Sequence, residues 1–188
     1  MIGELPESLE IGGKLYKINA DFRVILNIFQ AFDDPELTER EKCFVCMKNL
    51  FADFESIPEK DLQTAINQAY WFVGGGNMPE KNDVQKAKII DWEQDESLYF
   101  PAINKVAGFE TRAVKFLHWW TFLGYFNEIG EGLFSQILHI RSKKSDGKKL
   151  EKWEKEFLQK NKNIVEIRKK YTQEEIEKQK ILLARLGG

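Results

Sequence analysis

Residues 118–126 read HWWTFLGYF, an aromatic segment in which Trp119 and Trp120 stand side by side after His118. So many rings in nine residues are compatible with a cofactor pocket, a membrane anchor, a partner-binding surface or the core of a helical domain. The segment falls inside a stretch, residues 110–126, whose pattern predicts one helix. The apolar side chains would cover most of that helix, which is typical of a buried central helix.

The helical periodicity places Phe116, Trp119, Trp120 and Leu123 on one side of this predicted helix. Gly124 would let a neighbouring backbone approach closely. The core interpretation leaves a second one open, in which some of the rings line a groove that receives another chain, because Trp and Tyr are favoured interface anchors.

The cofactor and membrane interpretations are weaker. The neighbours of His118 provide neither a nucleophile nor an orienting acid, so we expect a packed, hydrogen-bonded histidine, no cofactor and no enzyme. A membrane anchor would pair its aromatics with Lys or Arg on a polar face, which this helix lacks.

The composition describes a soluble globular protein. The chain has 188 residues, 43% apolar and 31% charged, and no apolar run approaches the roughly 18 residues of a membrane-spanning helix. Residues 1–142 carry 14 basic and 22 acidic side chains, whereas residues 143–188 carry 14 and 8. The acidic body argues against a nucleic-acid partner. The N-terminal residues lack the pattern of a signal peptide, so we expect an intracellular protein.

The N-terminal half begins with a predicted β-hairpin over residues 7–18, where Gly12-Gly13 supply the turn. Three helices should follow, the first capped by Asp21 and the second by a Thr38–Glu41 capping box. The third ends at the triple glycine that opens residues 74–83, which we interpret as a glycine-rich hinge rather than a phosphate loop, because no strand precedes it.

The second half continues the helical pattern. It predicts a long helix from about Val84 to Val106, the aromatic helix, a short helix from Leu133 to Arg141, and a helical tail. The fold class is therefore mostly α: a helical core domain over residues 1–142 with its N-terminal hairpin, and a charged helical tail over residues 143–188.

Two further groups of residues suggest chemistry. Cys43 and Cys46 form a CxxC pair within a helical pattern, which favours buried structural thiols over a zinc or redox site. The acidic run at residues 91–96 places Asp91 and Asp95 on one face of the predicted helix. Helix capping or solvation is the expected role, followed by partner contact, with a metal site the least favoured.

Several segments together resemble the gene-product-fifteen family of siphophages and prophages. They are the opening LPESLEIGGKLYKINADFR, then DWEQD at 91–95, HWWTFLGYFNEIGEG at 118–132, IRSKK at 140–144 and GKKLEKWEKEF at 147–157. The resemblance extends over nearly the whole chain.

The resemblance implies a role in phage tail assembly, because genes of this family lie between those for the major tail protein and the tape measure protein. That position is typical of chaperones that keep the long, apolar tape measure protein soluble in the host cell cytoplasm. The other possible partners of this protein are further tail proteins or a second copy of itself. The alternative role is that of a structural or accessory tail component. The aromatic residues expected to contact the client are Trp92, Trp119, Trp120, Tyr125, Trp153 and Phe157.

Overall fold

The structure is a computed structural model that describes residues 3–77 and 88–186, with side chains described through Leu182. Two strands, β1 (Ser8–Ile11) and β2 (Lys14–Lys17), form an antiparallel hairpin. The helices are α1 (Phe22–Phe32), α2 (Glu39–Leu50), α3 (Leu62–Val73), α4 (Glu96–Ala107), α5 (Trp119–Asn127), α6 (Leu133–Ser145), α7 (Lys152–Lys160), α8 (Lys162–Val165) and α9 (Gln173–Leu186). The predicted mostly-α class with an N-terminal hairpin is confirmed.

The hairpin forms where the sequence predicts it. Gly12 and Gly13 have φ values of +58° and +79°, the left-handed conformation that a two-residue turn requires and glycine adopts without strain. Alternation then places Leu9, Ile11 and Tyr16 in the core. The hairpin therefore gains its stability by packing, with β1 lying against α3.

The caps of the first two helices also follow the prediction. The Asp21 side chain accepts a hydrogen bond from the N–H of Arg23 at the start of α1. Thr38 and Glu41 form the reciprocal capping box of α2. These local signals fix where the helices begin because each side-chain oxygen satisfies an N–H that the first helical turn leaves without a partner.

The predicted helix from Val84 to Val106 is shorter in the structure. Residues 84–87 lie outside the described residues, residues 88–91 have no regular structure, and residues 92–95 form a turn. α4 begins only at Glu96, and it runs through Pro101 to Ala107, with Gly108 as its C-terminal cap. The physical reason is that Asp91 and Asp95 make side-chain bonds to the backbone that stabilise the turn before the helix.

The predicted helix over residues 110–126 also begins late, at Trp119. Thr111–Ala113 form a short 3-10 helix. The chain after it is extended because it pairs with the start of α1: the N–H of Phe22 donates to Leu117 O at 3.0 Å, and the N–H of Trp119 donates to Ala20 O at 2.7 Å. Arg23 adds hydrogen bonds to the carbonyls of Arg112 and Val114. Phe116 therefore lies outside the helix and is exposed.

Two apolar clusters hold the helices together. The main core gathers the hairpin and helices α1–α5, with aromatic rings at its centre: Phe22 and Phe122 stack with their centroids 4.4 Å apart. A second, smaller core joins the tail to α6 and is built on Ile137, Ile140 and Val165. The predicted boundary at residues 142/143 falls within α6, which contributes residues to both predicted parts.

The triple glycine makes close packing contacts. Gly75 and Gly76 have φ values of +69° and +91°, and a Cβ atom on Gly75 would lie 2.6 Å from Leu123 of α5. A Cβ atom on Gly74 would lie 2.5 Å from the backbone oxygen of Asn77. The predicted hinge over residues 74–83 stays a prediction, because residues 78–83 lie outside the described residues.

By contrast, no atom of the described residues lies within 4 Å of a Cβ position on Gly124, so the predicted close approach is not found among them. Gly74→Ala and Gly124→Ala should therefore change the free energy of unfolding in opposite directions. We expect Gly74→Ala to destabilise by about 1–3 kcal/mol through overpacking. Gly124→Ala should stabilise by up to about 1 kcal/mol, because alanine favours a helix interior. Urea unfolding of both variants measures this, and equal effects would contradict the packing assigned to Gly74.

Candidate partner-binding site

The two adjacent tryptophans bind the end of another helix. The indole N–H of Trp119 donates to Val73 O, and that of Trp120 donates to Phe72 O, each at 2.9 Å. Both carbonyls belong to the last turn of α3, where a helix leaves its carbonyl groups without intrahelical partners. The pair Trp119-Trp120 thus acts as a C-terminal cap for α3 supplied by α5.

His118 positions this pair by capping α5. Its Nδ1 accepts a hydrogen bond from the N–H of Trp120 at 3.1 Å, and its Nε2 lies 3.1 Å from Pro6 O. Because a carbonyl can only accept, Nε2 carries the proton and the ring is the neutral Nε2–H tautomer. Both ring nitrogens therefore have structural partners, and the ring is buried.

The six predicted contact residues have different surroundings. Trp119 is only 1% exposed and belongs to the core, the alternative that the sequence left open for it. Trp120 and Trp92 are half-buried: Trp92 stacks on Phe29 with centroids 5.6 Å apart and packs against Phe126 at 5.0 Å. These three indoles mainly fill the aromatic core.

The remaining three predicted contact residues lie nearer the surface. Tyr125 is half-buried on α5, where it meets the ring of Phe109 with centroids 6.3 Å apart. Trp153 is 52% exposed on α7. Phe157, one turn further along, packs against the second core. Of the six, Trp153 has the largest exposed fraction.

The acidic segment is a structural junction. Asp95 is buried and paired with Arg141 of α6, with N–O distances of 2.5 and 2.9 Å. Arg141 also donates to the carbonyls of Ile89, Ile164 and Val165. One guanidinium therefore joins α4, α6 and the tail, and the expectation that Asp91 and Asp95 share a helix face is wrong because the segment is a turn.

Asp91 has its own partners. It accepts hydrogen bonds from the N–H groups of Glu93 and Gln94 and from the ammonium group of Lys88. Burial acts to raise the pKa of Asp91, but the Gln94 N–H and Lys88 outweigh burial and the pKa is lowered. No group of three His, Cys, Asp or Glu side chains placed to hold a metal ion occurs among the described residues.

The tail contains a second buried carboxylate. Glu154 of α7 receives hydrogen bonds from Lys143 at 2.6 Å and from the N–H of Glu151 at 2.6 Å, and it lies 3.0 Å from His139. The hydrogen bond from Lys143 lowers the pKa of Glu154 below its usual value. This carboxylate fixes α7 against α6.

The cysteines lie on the inner side of α2. Cys46 is buried, and burial raises the pKa of its thiol to about 12. Such a thiol stays protonated at neutral pH and is a poor nucleophile. Cys43 is half-buried and, like Cys46, is a free thiol.

The candidate site is an apolar groove between α4 and the turn that joins α5 to α6, with a volume of about 610 Å³. We call it the α4–α5 groove. Its apolar lining comes from Leu98, Pro101, Ala102, Val106, Ile129, Leu133 and Phe134. Leu133 and Val106 are 48% and 37% exposed. Sequence analysis missed this groove because its aliphatic residues come from two separate helices.

The charged residues of the groove are arranged by sign. Lys105 lies on α4, and Glu128 and Glu131 lie on the opposite wall. Tyr125 lies four residues before Ile129, and its ring meets that of Phe109 with centroids 6.3 Å apart. An apolar floor between a basic and an acidic wall suits an amphipathic helix.

The sequence model of the family described as Bacteriophage Gp15 protein matches residues 1–167. The chain belongs to this family. It is therefore a bacteriophage protein. It has no significant match among the curated proteins or among the solved structures.

The family match includes both apolar cores and the whole α4–α5 groove. It ends two residues after α8, so residues 168–188, with α9, lie beyond it. Within the part of the chain that the structure describes, no helix has the length and hydrophobicity needed to cross a membrane.

The placement of Trp119 predicts a stability effect. Trp119→Ala should lower the free energy of unfolding by about 3–5 kcal/mol, because it leaves a cavity and removes the hydrogen bond to Val73 O. The matched control is Trp153→Ala, which should lower it by about 1.5 kcal/mol or less, because about half of that side chain is already exposed. Denaturant unfolding followed by circular dichroism measures both, and a similar loss in the two variants would remove Trp119 from the core.

The junction at Arg141 predicts a second effect. Arg141→Met should destabilise the protein by about 3–5 kcal/mol, because Asp95 would stay buried without its partner. The control, Lys144→Met, removes an exposed ion pair with Glu166 and should cost about 1 kcal/mol or less. Thermal unfolding of both variants at neutral pH checks this, and an Arg141→Met midpoint equal to that of the control would refute it.

Proposed function

We propose that this protein is a tail assembly chaperone that binds the tape measure protein of its phage in the host cell cytoplasm and keeps it soluble until the tail tube forms. Membership of the family supports a phage role. The single observation that carries the binding role is the open α4–α5 groove, whose apolar floor lies exposed at the surface.

A tape measure protein is long and helical, and its apolar faces aggregate in water until the tail tube encloses them. An amphipathic helix docks into a groove through apolar anchors spaced at i, i+3, i+4 and i+7. The α4–α5 groove offers aliphatic partners for such anchors in Val106, Ile129 and Leu133. Its charged walls then fix the direction and register of the client helix.

The client surface therefore differs from the one that the aromatic pattern predicts. Its lining is mainly aliphatic, and the ring pair of Tyr125 and Phe109 is a further candidate for client contact. Trp153 on α7 offers a separate exposed ring, and Phe157 packs beneath that helix. Trp92, Trp119 and Trp120 support the client surface from within the core.

Weak binding by each groove is adequate for this role. Many copies can each cover one apolar face along the same long client, so no single contact has to be tight. Each copy can then leave separately as the tube polymerises. A shallow groove without a deep aromatic pocket fits such reversible binding.

The test is co-expression with the tape measure protein. The client should be more soluble with this protein than without it, and Leu133→Asp should abolish the gain by placing a charge in the groove. A single lost anchor costs about 1–3 kcal/mol in binding. Leu133 is the first residue of α6, where an acidic side chain is favourable to the helix dipole, so folding should survive the change.

The matched control is Leu15→Asp, on the exposed side of the hairpin, where Leu15 is 67% exposed. This variant should solubilise the client as well as the unmodified chain does. Equal client solubility with and without the protein would end the chaperone proposal. Recovery of the protein from purified tails at fixed stoichiometry would support the alternative, a structural or accessory tail component.

A further inference from the structure

The terminal helix α9 presents an apolar pair to solvent. Of the apolar side chains described on it, Ile176 is half-buried, whereas Ile181 and Leu182 are 48% and 57% exposed. Neither belongs to an apolar cluster formed by the described side chains. Adjacent exposed aliphatic residues on a helix mark a surface that is stabilised when another protein surface covers it.

The start of α9 is held firmly by the body. The preceding chain crosses the acidic segment in an extended conformation: the Gln94 side chain donates to Glu166 O and accepts from the N–H of Arg168, each at 2.9 Å. Lys170 adds an ion pair with Glu93 at 2.7 Å. These contacts fix the chain immediately before α9 against the rest of the protein.

We propose that α9 of one copy docks into the α4–α5 groove of a second copy of this chain. The proposal rests on the helix-binding groove of the proposed function and adds its occupant in the absence of client. The groove has an exposed apolar floor and α9 has an exposed apolar pair, and both surfaces are present in every copy. Burying Ile181 and Leu182 against Leu133 and Val106 would remove all four from water.

The charges of the two surfaces match. Glu177 and Lys178 each stand four residues before one member of the apolar pair, so each charge shares a face of α9 with Ile181 or Leu182. The groove has Lys105 on one wall and Glu128 and Glu131 on the other. With the apolar pair on the floor, Glu177 can approach Lys105 while Lys178 approaches the acidic wall.

Such an interface is heterologous, because a helix of one copy meets a groove of the next. Head-to-tail contacts of this kind form open chains when the rotation does not close. A row of copies is then already assembled for a long client. Because the client helix and α9 would use the same groove, client binding should separate the row into single copies along the client.

The test is sedimentation velocity of the full-length protein without client. The unmodified chain should form larger species as its concentration rises. Leu182→Asp on α9 and Leu133→Asp in the groove should each weaken association by about tenfold or more. Leu15→Asp should associate like the unmodified chain. A chain that stays monomeric at every concentration, or variants that associate normally, would overturn the proposal.

Mixing the two defective variants gives the decisive result. The intact α9 of Leu133→Asp can enter the intact groove of Leu182→Asp, so an equimolar mixture should form one dimer and nothing larger. A symmetric contact between two α9 helices or two grooves would give no such recovery, which would overturn the proposal. Normal self-association with no effect on client solubility would refute only the chaperone role, and client binding without self-association would refute only this inference.

Discussion

Two indole hydrogen bonds join the halves of this protein. Trp119 and Trp120 donate to consecutive carbonyls at the end of α3, so one helix of the second half completes the last turn of a helix in the first. The two bonds need both tryptophans at the start of α5, a fixed distance from α3. The ring contacts of the two indoles with Phe29, Phe72 and Trp92 require the same spacing.

Three features of the chain maintain that spacing. The glycines after α3 let Leu123 and Trp120 approach a backbone that a side chain would obstruct. His118 caps the N-terminus of α5 by accepting a hydrogen bond from the N–H of Trp120, and so fixes the point at which the two tryptophans enter the helix. The pairing of residues 20–22 with the chain before α5 holds that helix against α1. Loss of any one would move the tryptophans away from the carbonyls.

Sequence reasoning recovered what local signals determine: the hairpin, the Asp21 cap, the Thr38 capping box and the mostly-α class. It placed the start of α5 too early, because the local sequence pattern before Trp119 is helical. The extended conformation of that segment depends on hydrogen bonds from Arg23, about 90 residues earlier in the chain. The Arg141 junction and the α4–α5 groove were missed for the same reason. Both combine residues that are distant in sequence, and no local pattern marks them.

The division between aromatic and aliphatic residues bears on function. Ring contacts such as Phe100–Phe122 pack α4 against α5, and the groove lies between α4 and the turn that follows α5. A groove built on a rigid support needs little reordering when a helix enters, so less binding energy is lost to conformational entropy. In the proposed function, the dense aromatic segment would contribute to partner binding indirectly. It would do so by supporting the aliphatic surface that we propose for reversible contacts with a long apolar client.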